Sequence, residues 1–326
     1  MKILVTGSAG HLGEALVRTL RDEHEVIGLD VKPSPFTTRL GSIADRATVR
    51  AAMAGVRLVY HAATLHKPHI ATHSRRDFVE TNIAGTLNLL EEATAAGVDA
   101  FICTSTTSVF GDALAPPPGA PAAWIDEEVV PVPKNIYGAT KEAAEDLCQL
   151  FHRNQKLPVL ILRTSRFFPE EDDSRDVRAA YADANVKANE FLHRRADIAD
   201  IVSAHLLAAT RAPALGFGKY IISATSPFRR DELVELRRDA PAVVARHVPD
   251  YEAEYRKRGW KMFPSIGRVY VNDKARRDLG WAPRYDFARL VASLKAGEDP
   301  RSPLAQMIGA KGYHHQVFAD GPFPVE

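Results

Sequence analysis

A tyrosine and a lysine stand one helical turn apart in the segment "YGATK", Tyr137 to Lys141. On a helix, this spacing puts both side chains on the same face. A phenol has an ordinary pKa of about 10, and a nearby ammonium favours the phenolate and lowers that pKa. The pair therefore predicts a tyrosine that exchanges the hydroxyl proton of a substrate as hydride moves at carbon. The alternative, an ordinary surface pair, is disfavoured because the pair follows a nucleotide-binding motif.

That motif is the glycine-rich segment "TGSAGHLG", which lies between a predicted strand and a predicted helix. Gly7 allows a tight turn, Gly10 lets the backbone approach a pyrophosphate, and Gly13 lets the helix pack closely. The N-terminus of the helix attracts the negative charge of a phosphate. The segment predicts a site for a dinucleotide.

Asp30 ends the second predicted strand, where a carboxylate can accept hydrogen bonds from both hydroxyls of a ribose. Its charge opposes a 2′-phosphate, which favours NAD over NADP, although Lys32 close by weakens this preference.

The elements that position these residues alternate along the first half of the chain. Short aliphatic runs such as "KILVT", "RLVYHAA" and "AFICTS" are separated by amphipathic helical segments. Strands that are apolar throughout and separated by helices indicate a parallel sheet covered on both faces. The predicted class is therefore a doubly wound α/β fold.

The composition argues against several classes of partner and of location. The chain has 326 residues, with 42 Lys and Arg against 41 Asp and Glu, so it has no overall charge that would favour nucleic acid or an anionic membrane. Two cysteines, Cys103 and Cys148, are too few for a disulfide framework, which indicates a reducing cytoplasm. The first residues are expected to be a strand and not a signal peptide, and no apolar run approaches the roughly 20 residues of a membrane span.

The second half is less regular. We expect residues 1–168 and about 197–226 to form the nucleotide-binding domain, and about 169–196 and 227–326 to form a smaller, mixed α/β substrate lobe. The charge run "EEDDSRDVR" is expected to be a solvated surface loop, with Arg175 or Arg178 folding over the substrate as the alternative.

Further motifs are "HAAT" at 61–64, "TNIAGTLNLLEEA" at 81–93, "STTSVFG" at 105–111, "LRTSRFFP" at 162–169 and "RVYVNDKARRDLGW" at 268–281. With "TGSAGHLG", Asp30 and "YGATK", they resemble the extended short-chain dehydrogenase/reductase family, which contains sugar-nucleotide epimerases and dehydratases. The resemblance implies a Rossmann domain with bound NAD, a Tyr base, a Lys that also binds the nicotinamide ribose, and a Ser or Thr that holds the reacting oxygen. Counting back from Gly111, that hydroxyl is Thr106.

The resemblance also implies the cofactor contacts. The predicted contacts are Gly7, Gly10, His11, Leu12, Gly13, Asp30, Val31, Ser42, Ile43, Ala62, Ala63, Thr64, Asn82, Tyr137 and Lys141. Ser42 replaces an Asp that the family usually places at the adenine, whereas Ile43 can still pack on the ring.

Substrate contacts are predicted at His66, Thr107, Ser108, Arg166 and Phe167. Sugar-nucleotide 4,6-dehydratases carry an acid pair after the Thr, and here those positions hold Thr107 and Ser108, which disfavours dehydration. Arg166 replaces an Asn of many epimerases and could clamp a carboxylate or phosphate through two hydrogen bonds.

Three histidines, His66, His69 and His73, could suggest zinc, but Pro68 interrupts any helix that would align them, so no metal is predicted. His66 is placed near the nicotinamide and the substrate, and His69 and His73 are expected in an exposed loop.

The sequence thus predicts NAD-dependent hydride transfer at a secondary alcohol carbon of a small, sugar-type substrate. A sugar-nucleotide epimerase-like enzyme is preferred, and a net dehydrogenase of a free sugar, sugar acid or other small hydroxy substrate is the close alternative. A non-catalytic NAD sensor is disfavoured by the intact triad. A homodimer paired through helices at 77–96 and 137–153 is expected.

Overall fold

A seven-stranded parallel sheet forms the centre of the computed structural model, which describes residues 1–312, 316, 318 and 321. The strands are β1 Lys2–Thr6, β2 Glu25–Asp30, β3 Arg39–Leu40, β4 Leu58–His61, β5 Ala100–Thr106, β6 Ala123–Ile125, β7 Val159–Thr164, β8 Phe217–Ile222 and β9 Arg268–Tyr270. The sheet order is β3-β2-β1-β4-β5-β7-β8, and β6 pairs with β9 in a separate two-stranded sheet. The strand order reverses between β1 and β4, which is the place where such sheets bind ligands.

Helices cover both faces of the large sheet and build most of the second lobe. They are α1 His11–Leu20, α2 Arg46–Met53, α3 Arg75–Phe78, α4 Gly85–Ala96, α5 Ile136–Gln155, α6 Arg175–Ala180, α7 Asp183–Glu190, α8 Ile198–Leu215, α9 Leu233–Leu236, α10 Ala240–His247, α11 Tyr251–Arg258, α12 Asp273–Leu279, α13 Phe287–Ala296 and α14 Pro303–Ile308. The predicted doubly wound α/β fold is confirmed.

Helix α5, which carries Tyr137 and Lys141, begins at a side-chain cap. The Asn135 side-chain oxygen accepts a hydrogen bond from the Gly138 N–H at 3.1 Å. Such a cap satisfies one of the backbone donors that a helix start leaves unpaired. The cap fixes where α5 begins and therefore where the tyrosine points.

Three main hydrophobic cores hold the chain together. Two lie on opposite faces of the large sheet, and the third joins α7, α9, α10, α11 and α13 in the second lobe. The packing departs from the predicted domain boundary, because Ala275, Leu279, Trp281 and Ile308 belong to the core between the sheet and α1 and α8. Parts of the expected substrate lobe thus cover the nucleotide-binding domain.

The charge run at 170–178 is only partly solvated. Asp172 and Asp173 are buried, and helix α6 begins within the run. Both carboxylates pair with arginine or lysine side chains from other segments, which makes burial of their charge tolerable. The expectation was wrong because the pairing cations were not apparent from the local sequence.

Within the described residues, none of the helices combines the length and the apolar character that crossing a membrane requires.

Candidate active site and cofactor cleft

A cleft of about 1050 Å³ lies at the carboxyl ends of the parallel strands. It is lined by every predicted site residue except Asn82 and Lys141. Residues from the glycine-rich loop, from β2, from the segment after β4 and from the end of β5 meet there because parallel strands end at one edge of the sheet. The sequence motifs, far apart along the chain, thus form one site.

The glycine-rich loop is packed too tightly for larger residues. Gly7 has a φ of +73°, and a Cβ built on Gly13 would lie 1.9 Å from the Gly7 carbonyl oxygen. A Cβ on Gly10 would lie 3.2 Å from that oxygen, so Gly10 is the less crowded position. Gly10 directly precedes α1, and its backbone is open to the cleft. The loop fits the pyrophosphate of a dinucleotide at a helix N-terminus.

Asp30 lines the cleft beside the glycine-rich loop. Its carboxylate accepts hydrogen bonds from the Ala9 N–H at 2.9 Å and the Lys32 N–H at 2.8 Å. These bonds hold the carboxylate beside the glycine-rich loop, where a ribose would lie. Val31 is exposed there, and the Ser42 hydroxyl accepts from the Ala44 N–H at 3.1 Å.

Ile43 packs against α4. A Cβ on Gly85 would come within 2.6 Å of the Ile43 side chain, so the glycine lets the isoleucine lie close to the helix. Ile43 is buried and still lines the cleft, as an apolar contact for a flat ring requires.

Asn82 supports the wall of the cleft from behind. It lies in a π-helical segment, Val79–Ala84, and its side-chain oxygen accepts from the Leu65 N–H and the Thr64 hydroxyl at 2.8 and 2.9 Å. Its amide donates to the Leu65 carbonyl and to Thr140 of α5. Asn82 therefore positions the Thr64–Leu65 segment against the helix that carries Tyr137.

Tyr137 and Thr106 meet inside the cleft. Burial raises the pKa of Tyr137 to about 12, while a hydrogen bond with the Thr106 side chain acts in the opposite direction. Thr106 ends β5, and its hydroxyl also accepts from the Ser108 N–H at 3.1 Å. Two hydroxyls, one from a strand end and one from a helix start, thus line the same cleft.

The lowering of the Tyr137 pKa expected from Lys141 is not found. The Lys141 ammonium is buried and donates to the Thr104 carbonyl at 2.8 Å. Its charge acts instead on His61, whose pKa lies well below the usual range chiefly because of burial and secondarily because of Lys141. Helical spacing placed the two residues on one face, but it could not reveal the desolvation of the phenol.

His66 approaches Tyr137 from the opposite wall. The two ring centroids lie 6.4 Å apart, and the Phe168 ring lies 6.3 Å from that of His66. His69, which was expected in an exposed loop, is half-buried and accepts a hydrogen bond from the His66 N–H at 3.0 Å. It therefore helps to orient His66, whereas His73 is exposed as expected.

No group of three or more His, Cys, Asp or Glu side chains among the described residues is arranged to hold a metal ion.

Arg166 lines the cleft but is already engaged with carboxylates. Its guanidinium contacts Asp172 at 2.7 Å, Asp173 at 3.3 Å and Glu190 at 3.1 Å. Glu190 also binds Arg194 and Arg195. This buried network occupies the donors that the sequence assigned to a substrate anion, whereas Phe167 lies in the cleft wall as predicted.

One cluster beside the glycine-rich loop was not predicted. The Glu170 carboxylate contacts the His11 ring at 2.9 Å and accepts from the backbone N–H groups of Lys311 and Gly312 at 2.9 and 3.2 Å. The Lys311 ammonium binds Glu14 in α1. The carboxyl-terminal segment thus reaches the glycine-rich loop, and no local sequence pattern could indicate a contact between segments so far apart.

Comparisons with known proteins found relatives that match this chain along most of its length. A 3-beta-hydroxysteroid dehydrogenase of Mycolicibacterium neoaurum is 24% identical, with 89% of each chain covered. A dTDP-glucose 4,6-dehydratase of Streptomyces griseus is 28% identical, with 90% of this chain and 93% of that protein covered. The crystal structure of a UDP-glucuronic acid 4-epimerase from Bacillus cereus with NAD has a TM-score of 0.61 at 20% identity, covering 92% of this chain and 100% of the other.

The family model described as NAD dependent epimerase/dehydratase family matches residues 3–214, a span that contains the glycine-rich loop, Thr106, Tyr137 and Lys141. The cofactor is accordingly NAD, and the predicted resemblance to extended short-chain dehydrogenases/reductases is confirmed. The cleft, the fold and the match agree, and the chain belongs to the NAD dependent epimerase/dehydratase family.

Proposed function

We propose that this protein transfers hydride at a secondary alcohol carbon of a sugar-type substrate, using Thr106, Tyr137 and Lys141. The observation that carries the proposal is that Thr106 and Tyr137 line the same cleft as the glycine-rich loop, where the Thr106 side chain acts to lower the pKa of Tyr137. A non-catalytic NAD sensor would have no need for this pair of hydroxyls.

The residues present fit the cofactor. Gly7, Gly10 and Gly13 would hold the pyrophosphate against α1, and Asp30 would hold the adenosine ribose. When bound, NAD supplies the acceptor and donor of hydride. Tyr137 and His66 lie at the other end of the cleft, which is where the reacting carbon of the substrate would lie.

Tyr137 is the proton-exchanging residue in this proposal. With its pKa raised to about 12, the phenol is protonated at neutral pH and is ready to donate its proton to a ketone oxygen. The reverse step, removal of a hydroxyl proton, needs a positive charge closer to the phenol. A shift of the Lys141 ammonium from the Thr104 carbonyl towards Tyr137 would favour the phenolate by charge.

Thr106 holds the substrate oxygen in place. Because Thr106 and Tyr137 line the same cleft, an oxygen bound between the two side chains would contact both hydroxyls. Such positioning orients the carbon for hydride transfer and contributes to the rate.

We prefer an epimerase-like net reaction because the motifs of the family recur along this chain. In this reaction hydride is returned to the opposite face of a transient ketone. Net dehydrogenation is the second candidate. It is favoured by the short segment between Phe168 and Asp197, and by a dehydrogenase as a relative along most of the chain.

Dehydration is disfavoured, although one relative is named a 4,6-dehydratase. Elimination of water requires an acid and a base near the substrate. The two positions after Thr106 hold Thr107 and Ser108, which line the cleft with hydroxyls that do not ionise readily.

The test is to purify the protein, extract its nucleotide, and incubate it with a panel of sugar nucleotides, free sugars and sugar acids. Retained NAD with isomer formation and no net NADH supports epimerisation, and steady NADH production supports dehydrogenation. The catalytic proposal is wrong if no member of the panel reacts and cells that carry Tyr137→Phe keep the phenotype of cells that carry the wild type.

A further inference from the structure

We propose that the carboxyl-terminal strap, residues 309–312, is a gate that closes over NAD and slows its exchange with the solvent. The strap lies outside the family match at residues 3–214. The inference goes beyond the proposed function, because a gate on the cofactor would act in the same way whichever net reaction the cleft performs.

The strap lies beside the place where the pyrophosphate of a dinucleotide would bind. Lys311 and Gly312 line the cleft together with Gly10 and His11 of the glycine-rich loop, and Gln316 lines it too. The helix that this loop begins, α1, presents its N-terminus to the cleft, and a pyrophosphate binds at such an end. The strap therefore stands on the path by which a bound dinucleotide would leave.

Polar contacts tie the strap to two distant parts of the cleft wall. The Lys311 ammonium binds the Glu14 carboxylate in α1. The backbone N–H groups of Lys311 and Gly312 donate to the Glu170 carboxylate, which follows β7 and also contacts the His11 ring at 2.9 Å. The strap is thus held at both its side chain and its backbone.

The two parts of the wall that the strap joins are far apart in the sheet. Strands β1 and β7 are separated by β4 and β5. Three spacings of about 4.8 Å put their ends roughly 14 Å apart. A link between the loop after β1 and the segment after β7 must therefore pass over the ends of the strands that carry the site.

The base of the strap is fixed. The Ser302 N–H and hydroxyl donate to the Asp197 carboxylate at 3.0 and 2.6 Å, and this residue also caps α8. Ile308, the last residue of α14, is buried in the core that α14 shares with α1 and α8. The chain is thus anchored in the core directly before the strap begins.

The strap itself is able to lift from the cleft. Gly309 and Gly312 at its two ends have φ values of +60° and +65°, and a Cβ on either would meet no atom within 4 Å. Residues 310–312 are exposed to solvent. A segment held by polar contacts, with glycines at its ends and no apolar packing of its own, opens at a lower cost than the core elements.

Lys311 could instead act only by its charge. Burial alone would raise the pKa of Glu14, but hydrogen bonds and charge from Lys311 and Arg18 lower it, so this carboxylate is ionised at neutral pH. An ionised carboxylate in the first turn of α1 repels an incoming pyrophosphate, and Lys311 offsets that charge. With this role alone, loss of Lys311 would slow the association of the nucleotide.

A gate gives the opposite sign. Because its contacts are made between groups of the chain and not with the cofactor, weakening them favours the open gate with or without nucleotide. The nucleotide then both enters and leaves faster, and its affinity changes less than either rate.

The test measures both rates with NADH, whose fluorescence reports binding. Protein loaded with NADH is mixed with excess NAD to give the dissociation rate, and nucleotide-free protein is mixed with NADH to give the association rate. Lys311→Gln cuts the tie to α1. Gly312→Pro cuts the tie to Glu170, because proline lacks the N–H and cannot adopt a positive φ.

Lys295→Gln is the matched control, because it removes an ion pair with Asp250 that lies outside the cleft. We expect Lys311→Gln and Gly312→Pro each to raise both rates about three- to tenfold, the effect of losing one such contact. Lys295→Gln should leave both rates at the wild-type values.

The inference is overturned if both variants exchange NADH at the wild-type rates. It is also overturned if dissociation becomes faster while association stays the same or slows, because the strap would then only add affinity or offset the charge of Glu14. Faster exchange in both variants, in a protein that turns over none of the sugar panel, would contradict the proposed function and leave the gate standing.

Discussion

Thr106 makes two contacts that matter at the scale of single residues. Its side chain acts to lower the pKa of Tyr137, and its hydroxyl accepts from the Ser108 N–H at 3.1 Å. Thr106→Val keeps the shape but removes the hydroxyl, and we expect kcat to fall roughly 10- to 100-fold, the value of one or two hydrogen bonds. Thr106→Ser should retain most of the activity. Steady-state kinetics on the substrate found for the wild type measures this, and an unchanged kcat in Thr106→Val would remove Thr106 from the site.

Glu170 joins His11 to the backbone of Lys311 and Gly312. Burial alone would raise its pKa, but hydrogen bonds from His11 and from the Lys311 N–H lower the pKa to about 2. A carboxyl whose pKa is depressed by folding stabilises the protein above its unfolded pKa of about 4.3 and loses that contribution as the pH falls towards 2.

We therefore expect Glu170→Gln to be less stable than the wild type at neutral pH. The difference in free energy of unfolding should shrink as the pH falls below about 4.3, because the wild-type carboxyl is then increasingly protonated and resembles the amide. Denaturant unfolding at several pH values measures it. A difference independent of pH would mean that the charge of Glu170 contributes nothing.

At the scale of elements, the connection from β1 to α1 separates two roles of glycine. A Cβ on Gly13 would overlap the Gly7 carbonyl at 1.9 Å, whereas one on Gly10 would lie 3.2 Å from it. Gly13→Ala should therefore destabilise the protein by about 1–3 kcal/mol through overpacking.

Gly10→Ala is the matched variant. It should unfold near the wild-type denaturant midpoint but bind NAD more weakly, because its methyl group would occupy the approach of the pyrophosphate. Chemical unfolding and NAD titration measure both. Equal stability of the two variants would contradict the packing described for this loop.

Local sequence pattern was sufficient to predict the strands and helices that carry the site. The glycine-rich loop, Asp30 and "YGATK" each lie within one strand–helix unit, so spacing predicted where they lie. Desolvation of Tyr137 depends on burial by distant segments, and for this reason the expected lowering of its pKa was wrong. The engagement of Arg166 by Asp172 and Glu190 also depends on tertiary packing, which helical or strand periodicity does not encode.

At the scale of the whole molecule, the predicted homodimer stays a prediction. The helices expected at its interface carry exposed apolar side chains, with Val79 43% and Leu150 38% exposed. If α4 and α5 pair with a second copy, Leu150→Arg should yield a monomer, because a charge would be buried without a partner. Leu215→Arg, at a position 39% exposed on α8, is the control. Light scattering gives the masses, and equal masses for wild type and Leu150→Arg would reject this interface.

Tyr137→Phe tests the central claim most directly, because it removes one oxygen from the residue proposed to exchange the proton. Turnover of a responsive substrate by the NAD-loaded protein is measured for wild type and variant, together with affinity for NAD. The account predicts a fall in turnover of about 10²- to 10⁴-fold with NAD affinity unchanged, the usual contribution of a general acid or base. Turnover that persists at the wild-type rate in Tyr137→Phe would contradict it.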